Sequence, residues 1–584
     1  SRRLSARAAA PGGRWWAPRV GDVRPSDPVL QDSASFGRGL FSHADWCAAC
    51  RTGREYGWAE CEVEGELPAE LRGTLYKAGP GRFDRGGVGY SHFLDGDGFV
   101  SAWEFGGGSV RYRGDFVRTP EDRAEELAGK LLYRRTFGTS RAGGPLTNAF
   151  DLQLKNLANT NVLEWAGQLF VLYEASHPSR LGPENLAYLG YDDLGGVLRA
   201  GLSTSSGNPA VDALMGMGGD AFTAHPKMDP RRRSLVGFSW SSDSKGVSLQ
   251  VLAFDEDFRR VHEQEPDARV LFPSGDAQPH DFGLTERWCV FFENRIEMAD
   301  LPSFLLGLKG PGECLVNRPD LPQRIYLAPR GPGREVVAID GAQSSFDVHV
   351  AHAHDGPPLA WDHVPAGARS EDLVTIYTSA WDELPPGPLF GSWGEGEAAW
   401  PFDLPRHAPG SDFNGVPRAR LTRHVFDARR GAVLERRVLP GCEALCMEHP
   451  TINCSYTAER ECRYVYLCVC NEVGLSSPPC GWARADLRTG QVQRWWAGSR
   501  AVTEEPHFVP RAGPGGTWTP GAPEGAEDDG WLLGVLYDAE RDRSCLCVLD
   551  AARLEQGPVC RVWLPHGLPH SLHGCFVPAQ GPRP

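Results

Sequence analysis

The side chains of this sequence best suited to chemistry are its histidines. There are 17 among 584 residues, and most need no special role, because a lone imidazole is more often a surface or hydrogen-bonded core residue than a ligand. Several sit in unusual company. His225 lies in Phe222-Thr223-Ala224-His225-Pro226 and His280 in Pro279-His280-Asp281-Phe282-Gly283, while His349, His352 and His354 crowd into the stretch 346–355. A last group comprises His566, His570 and His573, the third of them in Leu572-His573-Gly574. Grouped imidazoles can ligate a metal ion. Cysteine offers a second opening: Cys47-Ala48-Ala49-Cys50 has the spacing of a redox pair or zinc knuckle. No second CxxC accompanies it and no βαβ pattern surrounds it, so it reads as a stray match.

The elements able to position such side chains recur along the chain. An alternating strand ends in an apolar residue plus Asp, a short polar turn follows, and a second strand begins. The unit occurs at Tyr191-Asp192, Phe254-Asp255, Phe426-Asp427, Ala485-Asp486 and Leu549-Asp550, with Gly431 and Gly490 closing two of the turns. Asp starts such turns by bonding its own backbone, and Gly supplies positive φ. A hairpin that returns many times cannot bury its apolar face alone, so the repetition points to an all-β propeller. Helical signals are confined to residues 121–132, 209–217 and 298–306, expected to form a small cap over one mouth.

Composition agrees. With 69 Gly and 47 Pro the chain is rich in turns, and its 41% hydrophobic content suffices for a large core. The formal net charge of -15 disfavours a nucleic-acid binder that neutralises phosphates. No apolar run approaches the roughly 18 residues of a membrane span. The 16 cysteines are sparse for a secreted scaffold, and Cys468/Cys470 and Cys545/Cys547 alternate inside apolar runs, so they read as buried thiols of a reducing compartment. Residues 1–30 carry five arginines by Arg19 and no acid before Asp22. That composition is expected of a disordered arm left from a plastid transit peptide.

Residues 73–576 resemble the carotenoid cleavage oxygenases. Gly73-Thr74-Leu75-Tyr76 with Gly79-Pro80, Leu94-Asp95-Gly96-Asp97-Gly98-Phe99, Pro279 to Thr285 followed by Phe291-Phe292-Glu293, and Leu572-His573-Gly574 look like that family's motifs. The resemblance implies a seven-bladed β-propeller over residues 31–584, with cap insertions and a non-haem Fe(II) on its axis. It also implies the ligands His225, His280, His349 and His573. Carboxylates of Glu174, Glu448 and Glu505 would accept the other ring N–H of the imidazoles. Three such charges nearly balance the dication, which four neutral imidazoles alone would leave bare. The sequence departs from the family pattern at His352, His354 and Asp355, and at His449 and His507 beside two of the glutamates. Because His352 and His354 share one strand face and His349 the other, that pair is the alternative to His349.

The resemblance further implies a dioxygenase that adds O2 across a C=C bond of a carotenoid or apocarotenoid to give two carbonyl products. Cleavage of stilbene-type substrates, polyene isomerisation, and a non-catalytic lipophile-binding scaffold are the other readings. A zinc hydrolase is a weaker one, since four imidazoles leave no obvious general base. A polyene dissolves in bilayers, so peripheral membrane contact without insertion is expected. The candidate segments are residues 127–133, with Leu131, Leu132 and Tyr133, and residues 301–308, with Leu301, Phe304, Leu305 and Leu306.

Overall fold

The aspartates that end alternating strands each fold a turn around themselves. In a computed structural model, which describes residues 43–262, 267–273, 279–382, 418–458, 461–470, 476–498, 500–511 and 526–579, the Oδ1 of Asp192 accepts the N–H of Leu194 at 2.7 Å and that of Asp255 the N–H of Arg259 at 2.8 Å. Asp427, Asp486 and Asp550 do the same for Arg430, Arg488 and Ala552. Gly431 and Gly490 supply φ of 62° and 74°, where a side chain would be strained. Local chemistry thus fixes the hairpins before any packing is considered. The arm at residues 1–30 lies outside the described residues.

The hairpins build seven antiparallel sheets of four or more strands. The first blade contains Arg72–Arg82, Asp97–Gly106 and Val110–Phe116, the second Asn161–Trp165 and Gln168–Leu172, and the third Ser234–Asp243 and Gly246–Phe254. Trp288–Glu293 and Arg324–Pro329 form the middle of the fourth, Leu373–Trp381 and Arg420–Asp427 of the fifth, and Tyr464–Cys470 and Pro479–Asp486 of the sixth. Gly530–Asp538 and Arg543–Asp550 are the centre of the seventh. Each boundary between consecutive blades has its own apolar layer; Leu169 and Val171 meet Val100 and Ala102 between the first two, for example. The seventh boundary closes the ring, where Leu533 and Val548 pack with Leu75 and Trp103. A sandwich would bury one continuous layer, so this arrangement is a closed seven-bladed propeller.

Two strand exchanges lock the ring. His573–Pro578, last in sequence, adds to the first blade beside Arg72–Arg82, and Glu62–Gly65 adds to the seventh beside Pro558–Trp563. No edge is left between the ends of the chain to slip open.

The helices are shorter than the sequence pattern suggests. Pro120–Ala128 stops where Gly129 turns left-handed at φ 60°, and Pro209–Met215 stops at Gly216 in the same way. Leu301–Leu305 begins only after Asp300, whose side chain accepts the N–H of Ser303, while Met298 belongs to the strand Ile296–Met298. Buried Arg134, in the segment after the first helix, donates to the carbonyls of Asp151, Phe304 and Lys309 and so ties that segment to the third helix. Pro209–Met215 buries none of its residues and is held by its own loop through Asp212 and Ser206. Beneath Pro120–Ala128 lies a buried ionic network in which Arg85, Arg135 and Lys155 face Asp97, Asp122 and Glu125.

Candidate metal centre

Each of the seven blades sends one polar side chain to the axis. His573 opens the last-added strand of the first blade, and Glu174 follows Gln168–Leu172 in the second. His225 occupies the break between Ala221–Phe222 and Lys227–Asp229 in the third, and His280 precedes Gly283–Leu284 in the fourth. His349 lies in Phe346–Asp355, Glu448 in Met447–Thr451, and Glu505 in the break between Ala501–Thr503 and His507–Pro510. Breaks in edge strands free a side chain to leave the pleat, which is why these positions serve the axis.

Four ring nitrogens, one from each of His225, His280, His349 and His573, lie within 4.8 Å of one another. Three of the rings have a fixed tautomer. Nδ1–H of His280 donates to Glu174 at 2.6 Å, that of His349 to Glu448 at 2.7 Å, and that of His573 to Glu505 at 2.8 Å. Their Nε2 atoms therefore carry lone pairs. The Nε2 atom of His280 lies 3.0 Å from that of His225 and 3.1 Å from that of His349, a spacing compatible with ligation of one shared cation. Burial holds His225 and His573 well below the ordinary imidazole range and pushes His349 down to about 3, the neighbouring imidazoles adding to the effect. At His280 burial acts in the same direction, but the adjoining Glu174 outweighs it and raises the value. Three of the imidazoles are thus held in the neutral form that ligates a metal, and carboxylates stand one bond further out behind His280, His349 and His573.

Access is uneven. The side chains of Glu174 and His280 keep 29% and 24% of their surface although they stand on the axis, whereas His349 and His573 keep 9% and 7%. Glu448 keeps 23% as well, so the carboxylates behind His280 and His349 are reached more readily than the imidazoles of His349 and His573.

The unusual histidines find other partners. The strand bearing His349 shifts register between Asp347 and His349 and again between Val350 and His352, so simple alternation fails there. His352 and His354 stack on each other, centroids 5.6 Å apart; His352 accepts the N–H of Cys462, and His354 donates to the carbonyl of Asp355. Asp355 itself anchors Thr285 and Arg287. His507 accepts the N–H of Phe576 and so clasps the ring-closing strand. His449, in a left-handed conformation at φ 53°, lies against His349 and His573 with centroids at 5.1 and 5.3 Å. Cys47 belongs to the helix His43–Ala49, and burial pushes its thiol up to about 11.

Sequence reasoning missed Lys77. Its Nζ donates to Glu505 Oε2 at 2.9 Å and to the carbonyls of Glu505 and Leu572. The available signal was a lysine within the apolar alternation of Leu75-Tyr76-Lys77-Ala78. The aspartates of Leu94-Asp95-Gly96-Asp97 serve the cap: Asp95 accepts the N–H groups of Phe137 and Thr139, and Asp97 pairs with Arg135 and Lys155.

Seven blades around four convergent imidazoles define a β-propeller built to hold a metal on its axis. Residues 48–578 match the family described as retinal pigment epithelial membrane protein (RPE65), and the chain belongs to this family of carotenoid oxygenases. It is 32% identical over 527 residues to the apocarotenoid-15,15'-oxygenase of Synechocystis sp., covering 89% of this chain and 93% of that one. It is 26% identical over 568 residues to the chloroplastic carotenoid cleavage dioxygenase 7 of Oryza sativa subsp. japonica, covering 88% and 87%. The crystal structure of cobalt-substituted Synechocystis ACO superposes with a TM-score of 0.77 at 31% identity, over 92% of this chain and all of that one. The relatives are oxygenases, and this chain is an enzyme of the same kind.

Proposed function

We propose that the protein is an Fe(II)-dependent dioxygenase that cleaves a C=C bond of a carotenoid or apocarotenoid, with His225, His280, His349 and His573 as the iron ligands. The observation that carries this reading is the set of three Glu–imidazole bonds, which leaves three Nε2 lone pairs aimed at one point. Bound there, ferrous iron with four nitrogen ligands retains coordination positions for dioxygen. The chain does the rest. Glu174, Glu448 and Glu505 hold the rings in orientation and raise their basicity. The partly exposed Glu174 and His280 mark the proposed side from which a polyene approaches. Incubation of the iron-loaded protein with a panel of carotenoids and apocarotenoids, followed by mass analysis, should yield paired aldehydes. Products from stilbene-type phenols alone would redirect the reading toward the lignostilbene dioxygenase of Sphingomonas paucimobilis, 26% identical over 549 residues.

The substrate's solubility bears on where the enzyme works. Leu301, Leu306 and Leu308 are exposed, as are Leu146 and Phe150. The backbone N–H of Phe150 donates to the carbonyl of Leu305, which brings the two exposed segments next to each other in the cap. Of the large apolar side chains in residues 127–133 only Leu127 is exposed, and Leu131 turns inward against Phe83, Tyr90 and Phe93. Leu146, Phe150, Leu301, Leu306 and Leu308 are the proposed membrane contact. Since the net charge is -15, attachment to anionic lipid should be hydrophobic and survive high salt. Flotation with liposomes at low and high salt tests this, and absence of binding in both sinks it. The arginine-rich start, outside the described residues, is the basis for proposing a plastid location, testable by import of a reporter fusion into isolated plastids.

A further inference from the structure

The three carboxylates behind the imidazoles have different second partners. Glu448 Oε2 also accepts the N–H of His449, and its Oε1 is buried with no hydrogen bond. Among the described residues, only Glu505 of the three pairs with a lysine or arginine: Lys77, 2% exposed, at 2.9 Å. A buried lysine is costly unless paired, and this one spends all three of its donor directions on Glu505 and Leu572. Gly574, directly opposite it on the ring-closing strand, lets the two strands approach closely, since a Cβ there would stand 2.1 Å from the Tyr76 carbonyl oxygen and 2.8 Å from Lys77 Cδ. The glycine that follows His573 thus has a physical reason, and Lys77 joins the first blade to the axis.

Charge gives this contact a further meaning. The carboxylates touching the imidazoles bring three negative charges, a ferrous ion brings two positive ones, and the ammonium supplies the third. Of the acids nearby, Asp281 is paired with Lys227 at 2.9 Å, and burial pushes Glu504, whose carboxyl group bonds Ser571, toward its neutral acid form. We propose that Lys77 is a positioning residue of the metal centre that holds Glu505 behind His573 and makes the ferrous assembly electrically neutral, thereby disfavouring the ferric state. The inference rests on the iron reading above. In a low-dielectric interior a single uncompensated charge a few ångströms from the metal changes the relative stability of its two oxidation states, as net charge does at other iron centres.

The test is a redox titration of the Fe(III)/Fe(II) couple in iron-loaded K77M, E505Q, K77M/E505Q and K77R, with iron content measured in each. K77M should shift the potential negative and autoxidise faster in air, and E505Q should shift it positive. K77M/E505Q should return toward wild type because neutrality is restored, and K77R should match wild type. A purely structural role predicts instead that the double variant accumulates both defects, which would overturn the proposal. Should K77M fail to fold, an unshifted potential in E505Q overturns it equally well. Wild-type protein that binds no iron defeats both readings, whereas iron-loaded wild type whose potential K77M leaves unmoved defeats this one alone.

Discussion

At the scale of single residues, the centre separates side chains that point at the metal position from those that orient them. Replacing His349 by Ala should abolish metal retention, while His352→Ala should keep it, since His352 spends its Nε2 on the Cys462 N–H. Metal analysis of the two purified variants decides between them, and the opposite pattern would show that the register shifts have been misread. Glu448→Gln keeps a hydrogen-bond acceptor for His349 but loses the charge, so turnover should fall by about 10- to 100-fold without vanishing. The convergence of His225, His280 and His573 was legible because each sits in a distinctive local motif, whereas His349 shared its strand with the competing pair His352 and His354. Lys77 was not legible, because its partner Glu505 lies 428 residues away and only ring closure brings them together.

At the scale of elements, the contact between the first blade and the segment leading into His573 is the sensitive one. Gly79 runs so close to that segment that a Cβ would stand 2.5 Å from Cα of Ser571, backbone against backbone, with no side chain able to yield. Gly79→Ala should therefore destabilise the protein by about 1–3 kcal/mol and displace His573, lowering melting temperature and metal content together. A variant that loses stability yet keeps full metal would show the strand tolerates the shift. The hairpins could be read from sequence because an Asp and a Gly act within four residues of one another. Helix ends were harder: apolar periodicity continues past Gly129 to Leu131, but that leucine serves the cap's core from a loop. The register shifts around His349 were beyond reach, since they depend on the pairing partner Leu373–Trp381 and on Asp281, which accepts the N–H of Val350.

At the scale of the whole molecule, buried imidazoles set the response to acid. Burial pushes His354 down to about 4 and His570 to about 3. Below the ordinary imidazole value of about 6.5 the unfolded chain takes up protons that the folded one refuses, so stability declines as pH falls from there toward 4. Each such group costs at most about 1.4 kcal/mol per pH unit in that window. Thermal melts at pH 7.5, 6 and 5 should show a progressively falling midpoint, and His354→Gln should lessen the slope; a flat profile would refute the assignment of these rings as neutral and buried.

The strand exchange that closes the ring also orders events in time. A ribosome delivers His225, His280 and His349 well before it delivers His573, and Glu505 also precedes the strand that needs it. A nascent chain thus exposes an incomplete set of nitrogens, and the full set forms only when His573–Pro578 docks beside Arg72–Arg82. The convergent nitrogens are in this way completed only by the last strand to join the ring, so the four-imidazole cluster and ring closure form together.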